Sequence, residues 1–308
     1  MTPEVGVYSY RRTLSVSGLY LLDPILFEKR LLKPTKPQGK LFIAYLISLI
    51  FGKENELKDC YMKVVSILLV LLTPFIVSAQ QTDTKFYELR IYYCHPGRLD
   101  ALVERFTNHT TRLFEKHGME NVGYWLPTNN TDNALYYVLA YPSKAARESS
   151  WKAFNSDTVW VAARDKSEQS GKIVAKVTSI FMEAASISPR IKPLVAGKDR
   201  TFELRTYYIL PGRKDELIKR FHDHSLKLLS KQGIQHVAYW TTVESSGAEP
   251  RLIYMVAFPS EESGKKSWEA FRQDPNWIKA KAASEKDHQL VEKVESVFLK
   301  PLPFSNIR

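Results

Sequence analysis

The positions from 86 to 93 alternate in character, which is typical of a β-strand with two different faces. One face carries Tyr87, Leu89, Ile91 and Tyr93, and the other carries Glu88, Arg90 and Tyr92. After a Pro-Gly turn, apolar residues recur at helical spacing until Gly118, which predicts a helix that ends at a glycine. Two strands at 122–126 and 135–141, a helix capped by Ser143, and a last strand at 173–182 complete the pattern.

The same order of patterns occurs twice. Residues 87–125 and 202–240 share 19 identities in 39 positions at an offset of 115, and the match resumes at an offset of 117 after a two-residue insertion. In the second copy, Ser260 and the pair Asp274-Pro275 are predicted to begin helices. We therefore predict two repeats, at 85–185 and 201–300, a linker at 186–200 and a tail at 301–308.

Each repeat has the order βαββαβ, which is the ferredoxin-like arrangement and predicts an α+β fold. Helices cover only one face of such a sheet, so the other face needs a partner. We predict that the two sheets pack against each other as a pseudo-dimeric α+β barrel within one chain. The charged strand residues are then expected to form an ion network between the sheets, made by Glu88, Arg90, Glu203 and Arg205.

The longest apolar run, at 64–79, has the features of a secretory signal: a basic start, an apolar core and small residues before Gln80. It is short for a membrane span, and no basic cluster follows it, so cleavage is favoured over a retained anchor. We therefore expect a periplasmic or secreted protein. Because a signal acts from the N-terminus, Met62 is the predicted start, and residues 1–61 are expected to be a non-native or disordered extension.

Composition excludes several classes of function. The 308 residues are 44% hydrophobic and carry a net charge of +11, which becomes +7 without residues 1–79. The charges are scattered, so nucleic acid is not an expected partner. Nucleotide-binding glycine loops, serine-hydrolase elbows and zinc-protease motifs are missing from the sequence. Cys94 would be the only thiol after cleavage, and it is expected to be buried rather than to pair between chains.

The combination Tyr87-Glu88-Leu89-Arg90, Pro96-Gly97-Arg98, Arg105-Phe106 with His109, Gly118, and Tyr124-Trp125 resembles the NIPSNAP family of the dimeric α+β barrel superfamily. The second repeat shows the same motif, and the resemblance covers about 85–300. Family members occur in bacteria and in mitochondria, and the resemblance implies the fold but no settled reaction. A secretory signal departs from the pattern of the mitochondrial members, so roles that depend on mitochondria are not expected for this chain.

Some members of the wider superfamily place substrates or haem between helix and sheet. His109 and His224 lie on apolar helical stripes that should face this space, which makes them candidate catalytic residues. The alternative is a pair of core histidines bonded to a carbonyl or a tyrosine. Arg105 and Arg220, one turn earlier, are candidates for an anionic ligand, or they pair with acidic residues.

Paired aromatic residues are the remaining candidates. Tyr92, Tyr207, Trp125 and Trp240 are able to line an apolar ligand site, although such pairs are more often core. Glu88 with Arg90, and Glu203 with Arg205, are alternatively proton-transfer pairs. Trp151, Trp160, Trp268 and Trp277 are expected in helix packing.

The sequence thus predicts an exported NIPSNAP-like protein that binds a small, partly apolar or anionic ligand, or a protein partner, and that can form homo-oligomers. The alternative is an α+β barrel enzyme, either a cofactor-independent monooxygenase or a haem-using oxidoreductase, with a histidine as base or ligand. Otherwise no cofactor, metal or stable membrane anchor is expected.

Cleavage near Ala79 is tested by the mass of the protein exported from its own host. Native mass spectrometry should give the mass of residues 80–308, because the signal is removed. Extra mass that disappears on denaturation would identify a retained ligand. Peptides from residues 2–58 in the natural protein would contradict the predicted start at Met62.

Overall fold

The computed structural model describes residues 83–193, 200–243 and 250–308. Repeat 1 contains β1 (Phe86–Cys94), α1 (Leu99–Arg105), a first π turn (Phe106–Thr110), α2 (Thr111–Lys116), β2 (Glu120–Pro127), β3 (Ala134–Tyr141), α3 (Lys144–Asn155), α4 (Thr158–Ser167) and β4 (Val174–Ala184). The predicted extension, the predicted signal and part of the predicted linker (194–199) lie outside the described residues.

Repeat 2 has the same order of elements. It contains β5 (Thr201–Ile209), α5 (Lys214–Arg220), a second π turn (Phe221–Ser225), α6 (Leu226–Lys231), β6 (Gln235–Thr242), β7 (Arg251–Phe258), α7 (Glu261–Gln273), α8 (Pro275–Ser284) and β8 (Val291–Pro301). The βαββαβ order predicted from the sequence is confirmed in both repeats, with two helices in each second helical segment.

Side-chain caps begin the outer helices where the sequence predicts them. The Ser143 hydroxyl accepts a hydrogen bond from the first turn of α3 at 3.1 Å, and Ser260 caps α7 in the same way. The Asp274 carboxylate accepts a backbone N–H at 2.9 Å, directly before Pro275 at the first position of α8. These oxygens satisfy N–H groups that have no partner inside the helix, so the helix starts follow from local chemistry.

The strands close into a barrel. They are ordered β4-β1-β3-β2 in repeat 1 and β8-β5-β7-β6 in repeat 2, and every neighbouring pair is antiparallel. Short ladders join the two sheets, with Trp125 of β2 opposite Pro301 of β8 and Ala184 of β4 opposite Trp240 of β6. The pseudo-dimeric α+β barrel predicted from the sequence is confirmed.

The apolar faces of the strands fill the barrel interior. Tyr87 and Leu89 of β1 pack there with Trp125 and Trp240, and all four side chains are at most 2% exposed. Removal of this apolar surface from water stabilises the closed arrangement.

The charged face of β1 points the opposite way, toward the helices. Glu88 contacts Arg147 and Trp151 of α3, and Arg90 lies 4.3 Å from the centre of the Trp151 ring. The predicted position of the ion network between the two sheets is therefore wrong. A buried carboxylate needs hydrogen-bond donors, and the helix layer supplies guanidinium and indole N–H groups for this purpose.

Each helix layer packs on its own sheet and forms a separate apolar cluster. The segment after each last strand, however, crosses to the other repeat. The backbone N–H of Tyr124 donates to Ser305 at 2.9 Å, and the backbone N–H of Tyr239 donates to Ser188 at 2.9 Å. Each repeat therefore completes the core of the other.

Within the described ranges, no helix has the length and apolar character needed to cross a bilayer.

Gly123 in β2 allows the indole of Trp125 to lie against the backbone, because a Cβ at this position would overlap the ring. Gly123→Ala should therefore lower the free energy of unfolding by about 1–3 kcal/mol in urea titrations. In a Trp125→Phe background, which removes the overlapping ring, the same substitution should cost much less. An equal cost in both backgrounds would show that the close approach does not require the glycine.

Candidate functional site

A cavity of about 180 Å³ lies between the helices and the sheet of repeat 1. Its walls come from β1, the first π turn, α2, α3 and the start of α4. The lining residues are Arg90, Tyr92, Phe106, Thr110, Phe114, Trp151, Phe154, Asn155 and Trp160. An engineered apolar cavity of roughly 150 Å³ in another protein holds benzene. The space in repeat 1 therefore suits a molecule about the size of a single ring.

Aromatic rings form most of the wall and support one another. The ring centroids of Phe154 and Trp160 are 4.4 Å apart, and those of Phe154 and Phe114 are 4.8 Å apart. Phe106 packs edge-on against Tyr92 at 6.1 Å. Such contacts fix the orientation of rigid side chains, so they maintain an apolar space of defined shape.

The two candidate histidines do not line this cavity. His224 is exposed and His109 is half-buried, so the prediction that both face the space between helix and sheet is wrong. The physical reason is the π turn, a local insertion that shifts the helical register by one residue. The inward positions pass to Thr110 and Ser225, each 1% exposed. Thr110 therefore contributes a hydroxyl to the wall where the sequence pattern indicated an imidazole.

Arg90 forms the charged part of the wall. Its Nη1 lies 2.6 Å from Glu88 Oε1, and its Nε donates to the hydroxyl of Tyr137 at 2.9 Å. Nη2 donates to the Tyr92 hydroxyl at 3.3 Å, which is a long hydrogen bond. The guanidinium also stacks on Trp151, so it is held by contacts on several sides.

Glu88 is fully buried and accepts hydrogen bonds from five side chains. The donors are Arg90, Arg147, Tyr141, Trp151 and Ser179. Burial alone would raise the pKa of Glu88, but the hydrogen bonds from Arg147 and the charge of Arg90 outweigh it and hold the pKa at about 2. The carboxylate therefore stays ionised at neutral pH and anchors α3 to β1.

The equivalent carboxylate of repeat 2 has fewer partners. Glu203 is 1% exposed and accepts from Arg205 at 2.6 Å and from the indole N–H of Trp268. Gly264 stands where repeat 1 has Arg147, and Phe258 stands where it has Tyr141. The Glu-Arg pair is thus present in both repeats, but the second arginine and the tyrosine hydroxyl belong to repeat 1 alone.

The candidate anion-binding arginines are already paired. Arg105 lies 3.0 Å from Glu168 and over the ring of Trp160, whereas Arg220 lies 2.6 Å from Glu285 and over Trp277. The structure therefore places both in the alternative arrangement that the sequence left open, with acidic partners. Arg105 thus connects α1 to the residue that follows α4, and Arg220 connects α5 to the residue that follows α8.

The aromatic candidates separate into two groups. Tyr92 lines the cavity, and its counterpart Tyr207 contacts the hydroxyl of Tyr254 at 3.1 Å. Trp125 and Trp240 lie in the barrel interior and do not reach the cavity. Cys94 is buried, as expected, and burial raises the pKa of its thiol to about 11.

Several residues of the site were not singled out from the sequence. Thr110 and Asn155 line the cavity, and Arg147 holds Glu88. Of these three residues, only Arg147 stands out in the sequence, because alignment of the two repeats pairs it with Gly264. Among the described residues, no group of three or more histidine, cysteine or acidic side chains is arranged to hold a metal ion.

Fold and site together define an α+β barrel formed by one duplicated chain, with a small aromatic cavity between helices and sheet. The NIPSNAP family model matches residues 87–189 and 202–306. The chain belongs to the NIPSNAP family, and the resemblance recognised in the sequence is confirmed.

Curated relatives cover most of the chain. Protein NipSnap homolog 3B of Mus musculus is 24% identical over 245 residues, which are 77% of this chain and 91% of the relative. Protein NipSnap homolog 3A of Homo sapiens is 25% identical over 247 residues, or 77% and 92%. Among solved structures, an anthrone oxidase-like protein has 15% identity and a TM-score of 0.45, covering 73% of this chain and 94% of its own. A NIPSNAP domain protein from Burkholderia xenovorans has 17% identity and a TM-score of 0.30, covering 34% and 98%.

The pKa of Glu88 is expected to be about 2 in the folded protein, against about 4.5 ordinarily. Since the folded-state pKa is the lower one, ionised Glu88 stabilises the fold above pH 4.5, by up to about 3 kcal/mol, and this stabilisation is lost as the pH falls toward 2. A carbon-13 NMR titration of the carboxyl group measures the midpoint. Arg147→Met should raise it, and a wild-type midpoint of 4.5 or above would contradict the expected shift.

Proposed function

We propose that this protein binds a small, partly apolar molecule in the repeat 1 cavity. The observation that carries the proposal is the composition of the wall, in which five aromatic side chains besides Tyr92 surround the space and Arg90, Thr110 and Asn155 add polar groups. Binding sites for small molecules commonly combine an apolar lining with a few placed polar groups. A volume of about 180 Å³ accommodates about one ring.

The polar groups of the wall would orient such a ligand. The Thr110 hydroxyl donates to the backbone carbonyl of Arg105 at 3.1 Å, so its oxygen retains capacity to accept a hydrogen bond. The Asn155 side chain is exposed at the end of α3 and offers both donors and an acceptor at the edge of the cavity. The ring of the ligand would lie between the aromatic walls.

An exported location forms part of the proposal. The apolar run at 64–79 has the pattern of a secretory signal, which supports binding outside the cytoplasm. The ligand would then be taken from the periplasm or from the external medium.

The enzyme alternatives receive less support from the cavity. A cofactor-independent monooxygenase that uses His109 or His224 as a base would need the imidazole near the substrate, and neither histidine lines the wall. A haem has four pyrrole rings and does not fit a space of about 180 Å³. Binding without a defined reaction is therefore the function that the geometry favours.

Isothermal titration calorimetry with benzyl alcohol tests the proposal. We expect one binding site in the purified protein, which Thr110→Met should abolish because the longer side chain extends into the cavity. Ser225→Met is the matched control, since Ser225 is the equivalent buried residue of repeat 2 and makes the equivalent bond, to the carbonyl of Arg220 at 3.3 Å.

The control variant should bind benzyl alcohol as the wild type does. Absence of binding to the wild type, or equal binding in Thr110→Met, would overturn the proposed site. Circular dichroism of both variants shows whether the fold is retained.

A further inference from the structure

The charged side chains at the wall of the repeat 1 cavity include more positive than negative groups. Among the nine lining residues, only Arg90 carries a formal charge. Its acidic partner, Glu88, is shared with Arg147, whose Nε and Nη2 lie 3.1 and 2.8 Å from the carboxylate oxygens. Two guanidiniums therefore contact one buried carboxylate.

Other charged groups near the cavity do not remove this excess. Two neighbouring acids already have their own partners: Glu168 pairs with Arg105, and Asp157 lies 2.6 Å from Lys116 and 2.8 Å from His117. Arg147 has a second contact, with Glu148 at 3.1 Å, but the Glu148 side chain is 60% exposed and is screened by water. Within the described part of the chain, the interior cluster thus keeps a positive charge without a buried acid to balance it.

Repeat 2 shows the balanced form of the same cluster. Glu203 and Arg205 make a one-to-one ion pair at 2.6 Å. Gly264 occupies the position of Arg147, so a second guanidinium is not available there. The excess positive charge is a property of repeat 1, the repeat that has the aromatic cavity.

We propose that the repeat 1 cavity selects a single-ring aromatic anion, a carboxylate of the benzoate type. This inference rests on the proposed function and adds the charge of the ligand to it. The ring lies among the aromatic walls, and the carboxylate lies toward Arg90. The positive charge of a guanidinium strengthens each hydrogen bond that it donates to a carboxylate.

Arg90 retains a donor for such a ligand. Nη1 bonds Glu88 and the hydroxyl of Ser179, and Nε bonds Tyr137. Nη2 carries two protons, and within the described residues it makes only the 3.3 Å bond to the Tyr92 hydroxyl. Arg147 does not line the cavity. It acts as a positioning residue, since it takes part of the Glu88 charge and leaves Arg90 less neutralised.

Calorimetric titrations with benzoate, benzyl alcohol and benzylamine test this charge selection at constant ionic strength. The three probes share the ring and differ in the charge of the substituent. Benzoate should bind about tenfold more tightly than benzyl alcohol, and benzylamine should bind most weakly. High salt should reduce the preference for benzoate and leave binding of benzyl alcohol nearly unchanged.

Arg147→Met should reduce the affinity for benzoate by about tenfold and leave that for benzyl alcohol intact. The benzyl alcohol measurement shows that the cavity is still folded. Arg164→Met is the matched control, because it removes a surface arginine of repeat 1 whose partner is Asp165, and it should preserve the preference.

The outcomes separate the two proposals. If benzyl alcohol binds in a Thr110→Met-sensitive manner and benzoate binds no more tightly, charge selection is overturned and the binding function stands. A benzoate preference that persists in Arg147→Met also overturns charge selection. If none of the three probes binds, the proposed function fails, and this inference fails with it.

Discussion

Each four-stranded sheet has an apolar face that the helices of its own repeat do not cover, and closure of the barrel removes both faces from water. The strand ladders between the repeats are short, so most of the stabilisation at this junction comes from packed side chains such as Trp125 and Trp240. The crossed segments at Ser188 and Ser305 strengthen the same junction. Because each repeat completes the core of the other, the two repeats form one structural unit rather than two independent domains.

Because one face of β1 fills the barrel interior, the charged residues of β1 must lie on its other face. Alternation along β1 places Glu88 and Arg90 on the outer face once Tyr87 and Leu89 point inward. A carboxylate on that face is buried beneath helices and requires several donors to offset its desolvation. α3 provides two of them, Arg147 and Trp151, so the ionic contacts connect the helix layer to the sheet. The aromatic cavity lies beside this connection, and its charged wall residue therefore has a fixed orientation.

Much of this fold could be predicted from the sequence, because it depends on local patterns. The two faces of β1, the caps at Ser143 and Asp274 and the order of the repeats are all visible in residue spacing. The direction in which a face points is a tertiary property, so the strand pattern alone predicts the ion network on the wrong side of the sheet. The π turn is equally hidden, since an insertion of one residue into a helix leaves no clear mark in the apolar pattern. It transferred the inward position from His109 to Thr110, and the identity of the site changed with it.

Both repeats contain the same Glu-Arg pair, but the carboxylate has different hydrogen-bond donors in each. This difference separates what the fold needs from what the proposed function needs. In repeat 2, a single guanidinium and an indole N–H serve Glu203, so the cluster is close to neutral. In repeat 1, Arg147 adds a charge that the fold itself does not require, because repeat 2 folds the same elements around Gly264. An excess charge in a partly buried cluster costs free energy unless an opposite charge lies near it. The proposed anionic ligand would supply that opposite charge, and duplication would then allow one repeat to keep the balanced structural pair while the other binds the ligand.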